Sequence, residues 1–180
     1  MKLKTTGIEG LLVIQPKVFS DDRGYLYEAF RSDFFGNFGI SAEFVQDNIS
    51  KSKKNTIRGL HYQVGKNAQG KLCQVISGKV IDVALDIRFN SPTFGKYYSQ
   101  ELSEENHKML WMPPGFAHGF SVLSEEAVFM YRCTAYYSKQ DERAILYNDP
   151  YLHIDWKVET PIVSEKDLTA KLFKEIDEDF

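Results

Sequence analysis

The sequence has 180 residues, of which 43% are hydrophobic and 14% aromatic, and its formal net charge is −3 at pH 7. This length fits one domain, expected to span residues 1–180, and the interspersed charges form no nucleic-acid surface. No apolar run reaches the length of a membrane span, and no secretory leader pattern opens the sequence. Two cysteines, Cys73 and Cys133, lie in apolar runs typical of buried free thiols, so we expect a cytoplasmic protein.

Short β-like segments, separated by turn residues, recur along the chain and predict an all-β fold of the sandwich or barrel type. The aromatic content fits strand-built cores or a ligand pocket. The predicted strands cover residues 10–18, 24–31, 43–50, 56–64, 71–76, 79–88, 97–102, 108–112, 118–123 and 127–137. Two short helices are expected, at residues 32–38 and, with an amphipathic pattern, at residues 165–176.

Residues 71–87 form the clearest predicted β-hairpin, because Gly78 supplies a two-residue turn. In that hairpin Lys71 shares a face with Asp82, while the opposite face is almost wholly apolar. The residues predicted on the shared face are Lys71, Cys73, Val75, Val80, Asp82, Ala84 and Asp86. This pattern indicates either the polar interior of a small barrel with a ligand cavity or a solvated face with a surface ion pair. In the first case we expect Asp82 to hydrogen-bond Lys71 and keep it charged.

Two of the four histidines, His61 and His118, lie near glycines in apolar segments. The Pro-x-Gly-x-x-His pattern at residues 113–118 resembles the second motif of cupins, and His61 lies where the first motif would fall. Metal-binding cupins carry a second histidine and a glutamate there, but this chain has Gln63 and no glutamate before Lys71. Two ligands are fewer than the three of a usual catalytic metal site, so no metal is predicted. By itself, a buried histidine is more often a hydrogen-bonded core residue than a ligand.

A longer series of motifs resembles the dTDP-4-dehydrorhamnose 3,5-epimerases, in family order from about residue 19 to residue 168. The motifs include Phe19-x-Asp21-x-Arg23-Gly24, Gln46-Asp47-Asn48, Arg58-Gly59-Leu60-His61-Tyr62-Gln63, Gln69-Gly70-Lys71-Leu72, Pro114-Gly115-Phe116-Ala117-His118, Tyr131-x-Cys133-Thr134 and Ser164-Glu165-Lys166-Asp167. The resemblance implies an all-β cupin, a double-stranded β-helix or jelly-roll barrel with short peripheral helices including a C-terminal helix. It also implies a homodimer that works without metal or organic cofactor.

The implied reaction is the epimerisation of dTDP-4-dehydro-6-deoxy-D-glucose at C3 and C5, by proton removal and return next to the C4 ketone. Such chemistry needs a base, a stabiliser for the enolate oxygen and an acid on the opposite face. The resemblance assigns His61 as base, Asp167 as the carboxylate that orients it, Lys71 as the enolate stabiliser and Tyr131 as acid. The alternative for Asp167 is a carboxylate in a helix cap that begins at Ser164.

Further residues are implied in substrate binding. Arg23 and Arg58 are expected to contact the diphosphate. Sugar hydroxyls are expected to be bound by Gln46, Asn48 and His118. The nucleotide is expected to be contacted by Phe19, Glu28 and Tyr137. The segment of residues 19–28 is a candidate contribution from a neighbouring subunit. Strict strand alternation places Arg58 opposite His61, but Gly59 permits a bulge that would turn both inward.

Two other functions remain open. The chain could act at only one carbon, C3 or C5, or on another nucleotide-linked 4-keto sugar, because the same base, acid and lysine would serve. It could also be a sugar-binding cupin without activity, which is disfavoured by the presence of all the proposed catalytic residues.

Overall fold

The computed structural model describes residues 1–36, 40 and 42–180, and within these the fold is mostly β-sheet. The strands are β1 (Lys2–Thr5), β2 (Leu12–Gln15), β3 (Val18–Asp21), β4 (Gly24–Tyr27), β5 (Gln46–Lys53), β6 (Ile57–Gln63), β7 (Lys71–Ser77), β8 (Lys79–Asp86), β9 (Tyr97–Ser103), β10 (Met109–Met112), β11 (Phe116–Val122), β12 (Glu126–Cys133) and β13 (Glu142–Ala144). The all-β prediction is confirmed, and β1 and β13 were not predicted.

Two antiparallel sheets form the body of the fold. One has the strand order β1-β2-β10-β7-β12-β5 and the other β13-β6-β11-β8-β9, while β3 and β4 form a separate ribbon. The two large sheets are not closed into one barrel. Their inner faces pack against each other through a buried cluster that contains Cys73 and Phe129 from one sheet and Ala84 and Phe120 from the other.

Successive side chains of a strand point to opposite faces of its sheet, so the strand neighbours of the inner-cluster residues pack on the outer faces. Val83 and Leu85 belong to an outer cluster with Trp156 and Phe173 from the C-terminal segment. Leu72 belongs to a third cluster, which covers the outside of the six-stranded sheet. The central strands of both large sheets are therefore buried on two faces, which explains their long apolar stretches.

The predicted hairpin at residues 71–87 is wrong in its pairing. β7 pairs with β10 and β12, whereas β8 pairs with β9 and β11, so the turn at Gly78 carries the chain from one sheet to the other. Both edges of β7 are taken by strands more than 30 residues away in sequence, which a local turn signal cannot reveal. Val75 and Val80 nevertheless face the same interior, because the two sheets lie face to face.

The C-terminal helix is shorter than predicted. α1 (Ser32–Gly36) starts where expected, and residues 37 and 38 of the predicted helix lie outside the described residues. α2 (Glu165–Leu168) ends early because Lys171 bridges to Ile145, and a separate 3-10 turn follows at Phe173–Glu175. In the described part of the chain, no helix is long and apolar enough to cross a membrane. Both cysteines are free and buried, as predicted.

Candidate active site

A cavity of about 650 Å³ opens between β5, β7 and β12 of one sheet and β6 and β11 of the other, with α2 at its rim. Its wall combines apolar surface with groups that can donate, accept or carry protons. The polar lining residues include Gln46, Asn48, Arg58, His61, Lys71, His118, Tyr131, Tyr137, Glu142, Lys166 and Asp167. Nine of the residues that were predicted from the sequence to be catalytic or to bind substrate therefore line one cavity.

His61 and Asp167 form a short hydrogen bond between His61 Nε2 and Asp167 Oδ1, at 2.6 Å. The Asp167 side chain is 4% exposed, whereas that of His61 is 31% exposed towards the cavity. Burial opposes the charged form of Asp167, but hydrogen bonds from His61 and the Gly59 amide outweigh it and lower its pKa. The ionised carboxylate accepts from Nε2, which leaves Nδ1 of His61 free to take a proton.

The helix-cap alternative for Asp167 coexists with this contact. Ser164 caps α2, and its Oγ accepts a hydrogen bond from the Asp167 backbone amide at 3.2 Å. The backbone of Asp167 is therefore held by the cap while its carboxylate remains available to His61. The cap fixes the position from which the carboxylate reaches across to β6.

Lys71 begins β7 and is buried in the cavity wall. Its Nζ lies 3.4 Å from the carbonyl oxygen of His61 and 5.9 Å from the centre of the Tyr131 ring. Burial lowers the pKa of Lys71, against opposing contributions from the thiols and from the charges of Asp82 and Glu142. An ammonium group in such a dry position interacts strongly with any developing negative charge beside it.

The predicted hydrogen bond between Asp82 and Lys71 is wrong. Asp82 Oδ1 instead lies 2.7 Å from His118 Nε2. Asp82 and His118 are diagonal neighbours on the paired strands β8 and β11, where Asp82 lies opposite Phe120 and His118 opposite Ala84. Lys71 belongs to the facing sheet, so it interacts with Asp82 electrostatically across the interior and not through a hydrogen bond.

Tyr131 lies on β12, opposite Cys73 on β7 and Asn48 on β5. Burial, followed by the neighbouring thiols, raises its pKa to about 12. Its hydroxyl is therefore fully protonated near neutral pH and can give a proton only to a strongly basic partner.

The bulge expected at Gly59 is confirmed. His118 lies opposite His61 and Phe120 opposite Arg58, so β6 contains one residue more than β11 over this stretch. Gly59 has φ +124°, and a Cβ atom there would lie 2.5 Å from Gly119 Cα. Only glycine fits this close approach, which allows Arg58 and His61 to line the same cavity.

Two residues at the cavity mouth were not expected from the sequence. Glu142 accepts a hydrogen bond from the Tyr137 hydroxyl at 2.9 Å and forms an ion pair with Lys166 at 2.5 Å. Gln46 Oε1 accepts from the Tyr137 backbone amide at 2.9 Å, which fixes the loop that carries Tyr137. Glu142 gave no signal because it lies in a charged stretch, residues 139–143, typical of a solvated loop.

Three of the expected binding residues are not brought to this cavity. Phe19 lies on the β3–β4 ribbon and is 51% exposed. Arg23 is paired with Asp21, and Glu28 with Arg31, all on exposed surface. None of the three lines the cavity of its own chain.

Within the described residues, one cluster could offer three ligand atoms to a metal. Cys73, Asp82 and His118 place these atoms within 4.8 Å of one another. The cluster extends from His118 at the cavity wall into the interior, where Asp82 already holds His118, and burial raises the pKa of the Cys73 thiol well above its usual range. These residues fit a proton-linked network better than a cation site, since the thiol resists the deprotonation that metal binding needs.

Comparison with known proteins agrees with this geometry. The family model described as dTDP-4-dehydrorhamnose 3,5-epimerase matches residues 5–175. A dTDP-4-dehydrorhamnose 3,5-epimerase from Shigella flexneri is 49% identical over 178 residues, 98% of each chain. The crystal structure of a protein of the same name from Elizabethkingia anophelis superposes with a TM-score of 0.93 at 50% identity, covering 97% of each chain.

A second solved structure has a ligand. It is a dTDP-6-deoxy-D-glucose-3,5-epimerase from Legionella pneumophila in complex with dTDP-4-keto-L-rhamnose. Its TM-score is 0.94 at 48% identity, over 98% of this chain and 94% of the other. Matches of this extent in both sequence and structure leave one assignment: the chain belongs to the dTDP-4-dehydrorhamnose 3,5-epimerase family.

Proposed function

We propose that this protein epimerises dTDP-4-dehydro-6-deoxy-D-glucose at C3 and C5 to dTDP-4-dehydro-L-rhamnose. The observation that carries the proposal is the hydrogen bond of 2.6 Å between His61 and Asp167, in a cavity that also contains Lys71 and Tyr131. These side chains are a base with its orienting carboxylate, a buried cation and a weak acid. They are the groups that proton exchange next to a ketone requires.

The first step is proton removal by His61. Nδ1 takes the proton from the carbon next to the C4 ketone, and the C–H electron pair becomes the C=C bond of an enolate whose negative charge lies on O4. The resulting imidazolium is stabilised by Asp167, whose pKa is already lowered by its hydrogen bond with His61.

Lys71 stabilises the enolate oxygen. A cation in a site shielded from water lowers the energy of a nearby oxyanion far more than it would in bulk water. Because burial lowers the pKa of Lys71, an arriving negative charge also favours its ammonium form. The lysine therefore acts more strongly on the enolate than on the neutral ketone, which is the condition for faster turnover.

Tyr131 completes the inversion by protonating the carbon from the opposite face. With its pKa raised to about 12, the phenol gives up its proton to a carbanion-like enolate and not to water. The enzyme is reset when the His61 imidazolium releases its proton and the Tyr131 phenolate gains one from solvent. No step requires a metal or an organic cofactor.

Substrate binding and assembly extend the proposal. Arg58 at the cavity wall supplies a guanidinium for the diphosphate. The protein forms a homodimer in which the exposed β3–β4 ribbon brings Phe19, Arg23 and Glu28 to the nucleotide end of the other subunit's cavity. It works in the cytoplasm, where two buried free thiols remain reduced.

The proposal is tested by incubating the protein with dTDP-4-dehydro-6-deoxy-D-glucose and following the sugar ring by proton NMR. We expect signals of the product inverted at both C3 and C5. The control is dTDP-glucose, which has no ketone to acidify its C–H bonds and should remain unchanged. An unchanged keto sugar, or inversion at a single carbon after long incubation, would contradict the double epimerisation.

A further inference from the structure

A second histidine–carboxylate pair lies beside the first and takes no part in the proton transfers above. His118 Nε2 lies 2.7 Å from Asp82 Oδ1, and His118 faces His61 directly across the β6–β11 pair. The side chains of His118 and Asp82 are 6% and 0% exposed, against 31% for His61. The second pair is thus anchored in the interior, and His118 lines the cavity with a side chain that is almost fully buried.

The contacts of His118 determine which ring nitrogen carries the proton. Asp82 Oδ1 and Cys73 Sγ both lie against Nε2, at 2.7 Å and 3.6 Å. An ionised carboxylate can only accept a hydrogen bond, so the proton is on Nε2. Burial lowers the pKa of His118, and electrostatic interactions with Lys71 and His61 lower it further, against the opposing charge and hydrogen bond of Asp82. The ring is therefore neutral near pH 7.

A neutral ring with its proton on Nε2 has a bare lone pair on Nδ1. Among the residues that the structure describes, none donates a hydrogen bond to this atom. His118 lines the cavity together with Lys71 and Phe120. Nδ1 is accordingly the atom through which His118 can bind a ligand, and it can only accept.

We propose that Asp82 is a positioning residue that makes His118 Nδ1 a fixed hydrogen-bond acceptor for one hydroxyl group of the bound hexose. This inference rests on the proposed function for its ligand, since it takes the sugar ring to occupy the cavity. A fixed acceptor pairs with a hydroxyl donor and not with a carbonyl or ether oxygen. Asp82 therefore makes the cavity select sugars that have a free hydroxyl at this ring position.

The alternative role for Asp82 is that of a counter-charge for Lys71 alone. Asp82 Oδ2 is buried and has no hydrogen-bond partner among the described residues, and the Asp82 charge acts on Lys71 across the interior. Loss of that charge would alter turnover but would not change which sugar hydroxyls matter for binding. Discrimination between sugars with and without a hydroxyl therefore separates the two roles.

The first test is nitrogen-15 NMR of the histidine rings in the unmodified protein. We expect the His118 signals of a neutral ring with the proton on Nε2 near pH 7. This measurement needs no variant, so it does not depend on how well a substituted core folds. A proton on Nδ1 of His118 would overturn the inference.

The second test compares the binding of dTDP-glucose with that of its 2-deoxy and 3-deoxy analogues. In the unmodified protein we expect one analogue to bind on the order of 10- to 100-fold more weakly, because the buried acceptor loses its donor. In Asp82→Asn the amide can hold either tautomer, and the penalty should shrink to less than about threefold. The control is Cys73→Ser, which changes the other contact of Nε2 and should keep the full penalty.

These results separate the inference from the proposed function. A protein that shows the Nε2 tautomer and the deoxy-sugar penalty but does not turn over the keto sugar would contradict only the proposed function. Normal turnover, with no penalty for either analogue or with an equal penalty in Asp82→Asn, would overturn only the inference.

Discussion

His61 and His118 lie directly opposite each other on neighbouring strands, and each is held at Nε2 by a buried carboxylate. The two pairs differ in their surroundings. The His61 side chain is 31% exposed and can exchange a proton with a ligand or with solvent, whereas the His118 side chain is 6% exposed and burial keeps it neutral. Under the two proposals, the same pair of residue types serves as a base at one position and as a fixed acceptor at the other.

We expect His61→Asn to abolish proton exchange at both C3 and C5. Loss of the base should reduce turnover by about 10²- to 10⁴-fold, or more if no other group can replace it. The affinity for dTDP should change little, because the imidazole is assigned to the chemistry and not to the nucleotide. Turnover is measured by NMR and affinity by calorimetry.

The matched control is His153→Asn, an exposed histidine outside the cavity whose φ of 49° asparagine tolerates well. It should behave like the unmodified protein. Near-normal exchange at C5 in His61→Asn would show that another group is the base.

Lys71→Met should separate function from stability. Methionine fills similar space without a charge, so the enolate loses its stabilising cation and turnover should fall by about 10²- to 10³-fold. The free energy of unfolding should stay the same or rise by about 1 kcal/mol, because no desolvated ammonium remains to be buried. Urea unfolding and initial rates test both expectations. A destabilised variant with normal turnover would assign Lys71 a structural role instead.

Tyr131→Phe should uncouple exchange from inversion. His61 can still remove the proton and return one to the same face, but the opposite face lacks its acid. In D₂O the recovered keto sugar should therefore gain deuterium without changing configuration, as seen by NMR. The comparison is Tyr137→Phe, which loses the hydroxyl bonded to Glu142 at the cavity mouth and should affect KM more than kcat. Inversion at the normal rate in Tyr131→Phe would exclude it as the acid.

Asp86 provides a test of stability against pH. Burial opposes its charged form, but hydrogen bonds from Arg88, Ser91 and Thr93 lower its pKa. Its contribution is therefore fully present above the unfolded-state pKa of about 3.9 and is lost as the pH falls through the lower folded-state value. Asp86→Asn should lower the free energy of unfolding by about 2 kcal/mol at pH 7, and the difference should shrink near pH 2.

Denaturant unfolding at both pH values measures this difference. The matched control is Asp155→Asn, whose exposed pair with Lys157 should contribute little at either pH. A difference between Asp86→Asn and the unmodified protein that stays constant from pH 7 to pH 2 would contradict the assignment.

The sequence predicted individual strands better than their partners. Alternation and turn residues located most strands because both signals are local, and Gly59 indicated its bulge for the same reason. The pairing of β7 with β10 and β12 depends on segments more than 30 residues away, so the turn at Gly78 suggested a hairpin that does not form. Asp82 was consequently assigned to Lys71 when its hydrogen-bond partner is His118.

Residues of the site also differed in how well the sequence predicted them. His61 and Asp167 were paired through a family resemblance, since 106 residues separate them and no local pattern connects them. Glu142 was missed because a charged turn and a cavity-facing strand end have the same composition. Phe19 and Arg23 lie outside the cavity of their own chain, and their place at the nucleotide end of another subunit's cavity depends on the proposed homodimer.

The most direct test of the central claim is to convert dTDP-4-dehydro-6-deoxy-D-glucose in D₂O and to count the deuterium atoms at each carbon of the product. Since both inversions are proposed to proceed through enolates that exchange with solvent, we expect one deuterium at C3 and one at C5. In His61→Asn neither position should be labelled. A product inverted at both carbons but without deuterium, or labelled in the absence of His61, would contradict inversion through enolates formed by this histidine.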